Sequence, residues 1–377
     1  MFASSCEGLI FHSERPQMWS FCYGDRMLTL DEKKIRKGKP IGLPYQGSKK
    51  KISKKIVEII KQNFGTDKPI YDVFGGGGAI TAECVLNGLE VHYNDLDKDI
   101  TDMFQRVISQ DREWIKTLIV SRDEFFEIKN KDIKTVDDNL KLLVNSFGNN
   151  KNGYLYNAEW SDMKYNLAVE IINKHDVFSG YKQTDTYKNA KRPYDEGKID
   201  KNKVLQQLQQ LEQLQRLQQL EQLQQLQLEA TNLDYKAFSD IENSILYLDP
   251  PYEGTTGYGG GGKARSVLPD VYNKMRQKLL KMPAGSVIVE DEIEYKLGTH
   301  PKRRRRMYVK DLRIQTNSFD SQTFYDWAFE MSKKNIVLIS SYEISDDRFK
   351  CVFEFEKARS TMQSGTAGKT EKLFMVV

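Results

Sequence analysis

Four consecutive residues, Asp249-Pro250-Pro251-Tyr252, carry the most specific chemistry in the chain. Each proline fixes φ and removes a backbone donor, so the turn is stiff and its carbonyls are free to accept. An anionic aspartate beside such a carbonyl accepts both protons of an exocyclic amine. Tyr252 offers a flat face on which an extruded base can stack. The apolar run 244–248 before it reads as a buried strand, which sets the tetrapeptide where open α/β sheets bind their ligands. A plain proline turn is the competing reading, and the preceding strand counts against it.

A second constellation is Asp72-Val73-Phe74-Gly75-Gly76-Gly77-Gly78. No Gly-Lys-Ser/Thr ending follows, which excludes a P-loop, and the dinucleotide pattern G-x-G-x-x-G is incomplete. What remains is a glycine turn between a strand and a helix, where bare backbone can approach a ligand closely. Asp95 follows about 20 positions on, where a carboxylate that binds ribose hydroxyls is expected. A turn serving only packing is the plainer alternative.

These residues need elements to hold them. Residues 52–60 show apolar positions on one helical face, 70–74 read as a strand, and 79–87 as a helix with Gly88 as its C-cap. Residues 89–93 alternate like a strand. The unit is the opening half of a nucleotide-binding α/β fold. Residues 103–173 read as mostly helical, interrupted by a polar segment at 145–157. From Leu205 to Leu226 a leucine stands at every third position, mostly with glutamines between. Three residues turn an α-helix by about 300°, so this stripe drifts and cannot make a coiled-coil seam. A helix with leucines wrapping round it is expected, with a low-complexity product as the alternative. Residues 269–316 read as a small separate unit containing a helix (271–282) and a strand (286–290). Beyond it come a helix at 323–334, a strand at 335–341 and a β-rich ending.

Composition sets the outer bounds. A chain of 377 residues with 39% hydrophobic and 29% charged residues fits a globular protein, and no run approaches a membrane span of about 20 residues. Charged residues near the start (Glu7, His12, Glu14, Arg15) stand where a signal peptide wants an apolar core, so a cytoplasmic protein is expected. The four cysteines are scattered and the four histidines do not cluster with them, which argues against a zinc site or a disulfide scaffold. Net charge is only +4. Basic residues nevertheless gather at 33–55, 182–203 and most densely at 302–306, as phosphate contacts would require.

Together the motifs resemble the Dam-like family of DNA adenine-N6 methyltransferases of phage and bacterial type. Pro44-Tyr45-Gln46-Gly47-Ser48-Lys49 is similar to the family's N-terminal cofactor motif, in which an aromatic and a lysine contact the methyl donor. Asp72 to Gly77 resembles its glycine motif, Asn94-Asp95 its ribose-binding acid, and the Asp249 tetrapeptide its catalytic motif. Residues 324–327, 336–342 and 370–374 also look like the family's ending. The resemblance implies S-adenosyl-L-methionine as cofactor, bound by Tyr45, Lys49, Asp72, Phe74, Gly75, Gly77, Asp95 and Asp249. It implies catalysis by Asp249, Pro250, Pro251 and Tyr252 without a metal, on double-stranded DNA, with a flipped base. The leucine–glutamine repeat, the insert 259–318 and the first forty residues depart from the family pattern.

The expected fold is α/β: a Rossmann-like S-adenosylmethionine-dependent methyltransferase core, a mostly helical target-recognition domain and a small inserted α+β unit. Boundaries are expected at 1–40 (extension), 41–102 (cofactor half of the core), 103–235 (recognition domain, with the repeat at 204–228), 236–258 (catalytic strand and loop), 259–318 (basic insert) and 319–377 (end of the core). The segments 145–157 and 182–203 are candidates for base and phosphate contacts. The insert is a candidate winged-helix-like DNA-binding module, with a basic surface loop as the alternative. A monomer is expected, with a cognate restriction endonuclease as a candidate partner. The rival readings are cytosine-N4 methylation, methylation of a protein glutamine amide, and a DNA-binding protein with a decayed enzyme core. Asp249 favours adenine over cytosine and glutamine, and the intact motifs argue against decay.

Overall fold

The computed structural model describes residues 27–45, 48–195, 207–252, 269–283, 286–290, 293–298, 308–309, 319–356 and 370–376. Gln46, Gly47, the first 26 residues, the last part (196–203) of the basic stretch 182–203, the glycine-rich stretch 257–262 and the 302–306 cluster lie outside them.

The first strands, β1 (Ile70–Asp72) and β2 (Val91–Asn94), flank the helix α2 (Ala79–Leu86), and α1 (Ser53–Phe64) precedes them. Gly88, at φ +71°, turns the chain out of α2, as its sequence position requires. β3 (Ala230–Thr231) and β4 (Ile245–Leu248) follow after a long helical stretch. The insert contributes β5 (Val287–Glu290), β6 (Ile293–Gly298) and β7 (Tyr308–Val309), and the chain ends with β8 (Ile336–Ser341), β9 (Phe349–Glu354) and β10 (Lys372–Val376). Seven of these form one sheet in the order β3-β2-β1-β4-β8-β10-β9. β1 pairs in parallel with β2 and β4, β2 with β3, and β4 with β8. Only β10 runs against its neighbours β8 and β9. The chain builds outward from β1 to β3, then returns to β4 and continues the other way. A crevice therefore opens at the carboxyl ends of β1 and β4.

Alternation along the strands assigns the two faces. Ile245 and Tyr247 of β4, with Ile336 and Leu338 of β8, pack with Ile56, Ile59 and Ile60 of α1 and with Ile80 and Cys84 of α2. Leu246, Leu248, Val337 and Ile339 point the other way, into Phe324, Tyr325, Ala328 and Met331 of the last helix (Ser321–Ser332). Both central strands are buried at every position, which explains the apolar runs Ile245–Leu248 and Ile336–Ile339; β8 then ends in the buried Ser340 and Ser341. Residues 27–40, left in the extension by the sequence reading, are part of this packing. Leu28 is buried and its N–H donates to Val352 O at 2.8 Å. Arg36 forms a two-pronged ion pair with the buried Glu83 of α2, Nε and Nη2 each at 2.8 Å.

Between β2 and β3 the chain is helical: α3 (Lys98–Ile108), α4 (Arg112–Lys116), α5 (Arg122–Lys129), α6 (Val136–Val144), α7 (Ser161–His175), α8 (Asp185–Asp195) and α9 (Glu212–Leu223). Side-chain caps start several of them: Asp97 for α3, Ser121 for α5, and a reciprocal Thr135–Asp138 box for α6. The leucine repeat forms α9 and its flanks, interrupted at Leu211 instead of continuing as one helix. Each three-residue step regresses about 60°, so Leu214, Leu217, Leu220 and Leu223 cover about half the circumference. All four are fully buried, as are Leu208, Leu211 and Leu226. α9 is thus the spine of the helical part, packed against α3, α4 and α6. A wrapping stripe suits a helix with neighbours on several sides.

Residues 230–235, which the sequence reading leaves in the recognition domain, rejoin the sheet as β3 and the segment after it. The insert contains α10 (Pro269–Leu280), placed two residues before its expected start, and the three-stranded antiparallel sheet β5-β6-β7. The last helix, α11, is the one named above at Ser321–Ser332. No helix among the described residues is long and apolar enough to cross a membrane.

Candidate active site

Three aspartates stand at the carboxyl ends of three adjacent parallel strands: Asp95 after β2, Asp72 on β1 and Asp249 after β4. They line one cavity of about 360 Å³, within the range of small-molecule sites. Tyr45, Lys49, Phe74, Gly75 and Gly77 line it as well, so every residue expected to bind the cofactor meets there. Asp249 and Pro251 also line it, whereas Pro250 and Tyr252 do not.

The glycine turn is held from both sides. Its Gly76 N–H donates to Asp95 Oδ2 at 2.8 Å, and Tyr93 Oη donates to Gly76 O at 2.8 Å. Gly78, at φ +70°, caps α2 in the left-handed region. A β-carbon on Gly75 would run into the ring of Tyr93. This glycine therefore serves packing beside the cavity as well as access to it. Asp95 has one backbone donor on each oxygen, Gly76 N and Asp97 N, both at 2.8 Å. Each oxygen retains a lone pair for a hydroxyl donor. Burial pushes its carboxyl up to about 6 against those two hydrogen bonds.

Asp72 is more deeply placed. Oδ2 accepts from Thr81 N at 3.1 Å and Thr81 Oγ1 at 2.6 Å, while Oδ1 is buried without a hydrogen-bond partner. Burial pushes the carboxyl up to about 7; the Thr81 bonds oppose this, and the charges of Asp249 and Asp95 add to it. An unpartnered buried carboxylate oxygen beside a cavity suits a cationic ligand group.

At the other end Lys49 gathers three groups. Its Nζ lies 2.8 Å from Asp249 Oδ1 and 3.5 Å from Glu371 Oε1, and donates to the Tyr252 hydroxyl. That hydroxyl in turn donates to Glu371, which also accepts from Ser340 Oγ at 2.7 Å. Burial raises Asp249 to about 6; Lys49 opposes the rise and Glu371 adds to it. Lys49 opens the short helical turn Lys49–Lys51 that leads into α1. Glu371 arrives because β10 is reversed and brings its amino end to the carboxyl edge of its neighbours.

Tyr252 departs from expectation. Its ring is buried, with Lys49 Nζ 4.8 Å from the centroid and the Tyr342 ring edge-on at 4.7 Å. The ammonium sits at the hydroxyl end of this ring, to which it donates. Asn94 also differs in role: it donates to Val73 O and Leu233 O and accepts from Leu233 N and Thr231 Oγ1. It therefore fastens the segment after β3 to the site, which carries Leu233 and Tyr235 into the cavity wall. Those two, with Phe319, Ser340, Tyr342 and Glu371, were missed by the sequence reading. They carry no motif of their own, although Ser340, Tyr342 and Glu371 lie in segments that resemble the family's ending. The Phe74 ring stacks on Tyr235 with centroids 6.2 Å apart.

The D12 class N6 adenine-specific DNA methyltransferase model matches residues 45–264, a span holding the cofactor-side motifs and the Asp249 tetrapeptide. The chain belongs to this family. It is an S-adenosylmethionine-dependent enzyme that methylates adenine N6 in DNA, which decides among the rival readings. The seven-stranded, mostly parallel sheet is consistent with a methyltransferase core. No curated protein matches the chain.

Proposed function

We infer that the cavity holds S-adenosylmethionine and that Asp249 directs the target amine, and the convergence of Asp95, Asp72 and Asp249 on one crevice carries this reading. The donors suit the parts of the cofactor. Asp95 has lone pairs for ribose hydroxyls, and the orphaned Asp72 oxygen suits an α-ammonium, whose charge would draw Asp72 back to its anion. Phe74, Tyr235, Leu233 and Phe319 supply an apolar wall for a nucleobase. When bound, the cofactor supplies an electrophilic methyl group on a sulfonium.

The adenine amine is a weak nucleophile because its lone pair is delocalised into the ring. Asp249 as an anion accepts a hydrogen bond from one N6–H and the Pro250 carbonyl accepts one from the other, which favours a pyramidal nitrogen with its lone pair exposed. Lys49, 2.8 Å away, keeps Asp249 ionised despite its burial. Positioning and electrostatics supply most of the acceleration. Stacking of the extruded base on Tyr252 requires its buried ring to become accessible on DNA binding, with Lys49 kept at the hydroxyl end.

The helical part, α3 to α9, is assigned target recognition. The segment 145–157 supports this: Ser146 bridges Tyr154, Arg216 of α9 donates to Val144 O (2.7 Å) and Ser146 O (2.8 Å), and Phe147 at the tip is 53% exposed. The acting unit is taken as a monomer, since one cavity lies within one chain. The test is incubation with unmethylated genomic DNA and S-adenosylmethionine, digestion to nucleosides and mass spectrometry, with Asp249→Ala alongside. N6-methyladenine from the intact chain, and a loss of at least about 1000-fold in the variant with cofactor binding retained, is expected. A variant that still methylates would refute the assignment of Asp249.

A further inference from the structure

We propose that Glu371 is a positioning residue for methyl transfer, anchoring Lys49 and Tyr252 so that the ammonium faces Asp249. The proposal rests on the assignment of Asp249 as the acceptor of the target amine. Lys49 is 200 positions from Asp249 and 322 from Glu371 along the chain, so only the fold sets their geometry.

Lys49 alone could satisfy its three protons in many directions on a flexible four-carbon stem. Glu371 removes that freedom. Its Oε1 lies 3.5 Å from Lys49 Nζ and accepts the Tyr252 hydroxyl, which itself accepts from Lys49. The hydrogen-bond chain therefore runs from ammonium to phenol to a Glu371 oxygen, which ends it as an acceptor. Ser340 on β8, 2.7 Å away, fixes the carboxylate, and β10 fixes the backbone beside it. The anchor is thus built on two paired strands instead of a loop.

The same arrangement acts on Asp249 electrostatically. The charged groups facing it are Lys49, Glu371 and Asp72, together with the phenols of Tyr247, Tyr252 and Tyr342. Lys49 favours the Asp249 anion, whereas Glu371 disfavours it. Because Asp249 works as an anion, activity falls as pH drops through its titration. Neutralising Glu371 removes a like charge and moves that acid limb to lower pH, while the lost anchor slows the reaction at every pH. A purely structural role would leave the limb in place.

The experiment measures kcat and KM for DNA and cofactor from about pH 5 to about pH 9 on full-length Glu371→Gln, with thermal unfolding in parallel. We expect kcat to fall about tenfold at the upper end, both KM values to stay within about threefold, and the acid limb to move down by about half a unit or more. Glu371→Asp should return the limb toward its original position. Tyr252→Phe cuts the chain and removes a hydroxyl that favours the Asp249 anion, so it should lower kcat and move the limb up, opposite to Glu371→Gln. It also tests the anchor if Glu371→Gln does not fold. Unchanged kcat in Tyr252→Phe, or a Glu371→Gln loss that is uniform in pH and tracks unfolding, overturns the proposal. An active Asp249→Ala enzyme would instead refute the underlying assignment, so the two failures are distinguishable.

Discussion

Replacing Asp72 by asparagine should stabilise the ligand-free protein at neutral and alkaline pH while weakening cofactor binding. Asp72 is 1% exposed, and burial pushes its carboxyl from an ordinary 3.8 to about 7. A folded-state value above the unfolded one means stability is fully present below about pH 4 and is lost as pH rises through about 7. A shift of about three units at about 1.4 kcal/mol per unit puts the upper bound of that loss at about 4 kcal/mol. Relaxation and water entry make about 2 kcal/mol a fair lower figure. The amide oxygen of asparagine can keep both Thr81 hydrogen bonds, leaving its NH2 where Oδ1 now lacks a partner. For a chain of this length, about 2–4 kcal/mol corresponds to about 3–5 °C in melting temperature. Thermal unfolding of both proteins without cofactor, from about pH 5 to about pH 8, should show a gap that opens as pH rises. Cofactor affinity measured by calorimetry should fall about 10- to 100-fold, since a charge-assisted bond to the ammonium is lost. A variant that melts lower at pH 8, or a gap independent of pH, would refute the claim that Asp72 is a buried and uncompensated carboxyl.

Other perturbations address the scaffold. Leu217→Ala, at a fully buried position on α9, should cost about 2–5 kcal/mol in denaturant unfolding, whereas a loss under about 1 kcal/mol would mean that the repeat is peripheral. Gly75→Ala would press a methyl group into Tyr93, whose ring is stacked on Phe104 with centroids 4.3 Å apart. A loss of about 1–3 kcal/mol and at least about tenfold weaker cofactor binding should follow, and calorimetry showing normal affinity would contradict the packing role assigned to that glycine.

Much of the crevice's lining was legible in local sequence. The glycine turn, Asp95 and the Asp249 tetrapeptide each sit directly after a short apolar run, and strand period and turn chemistry are local properties. The doubly wound half of the fold follows from the same segments, because a strand–helix–strand unit admits few arrangements. Other features waited for the tertiary structure. The leucine stripe gave its own drift, but whether a wrapping stripe is buried depends on what surrounds it, and only α3, α4 and α6 decide that. Glu371 lies in a segment that resembles the family's ending, but no role could be read from that segment; the reversal of β10 brings it to Lys49. Tyr252 was legible as an aromatic three residues after Asp249, yet the partners of its ring and hydroxyl, Tyr342, Lys49 and Glu371, are remote in sequence. The sequence by itself determined which chemical groups stand at the strand ends. Which of them touch was decided by strand order and direction, because contacts between distant segments are set by packing of the whole sheet and not by any local preference.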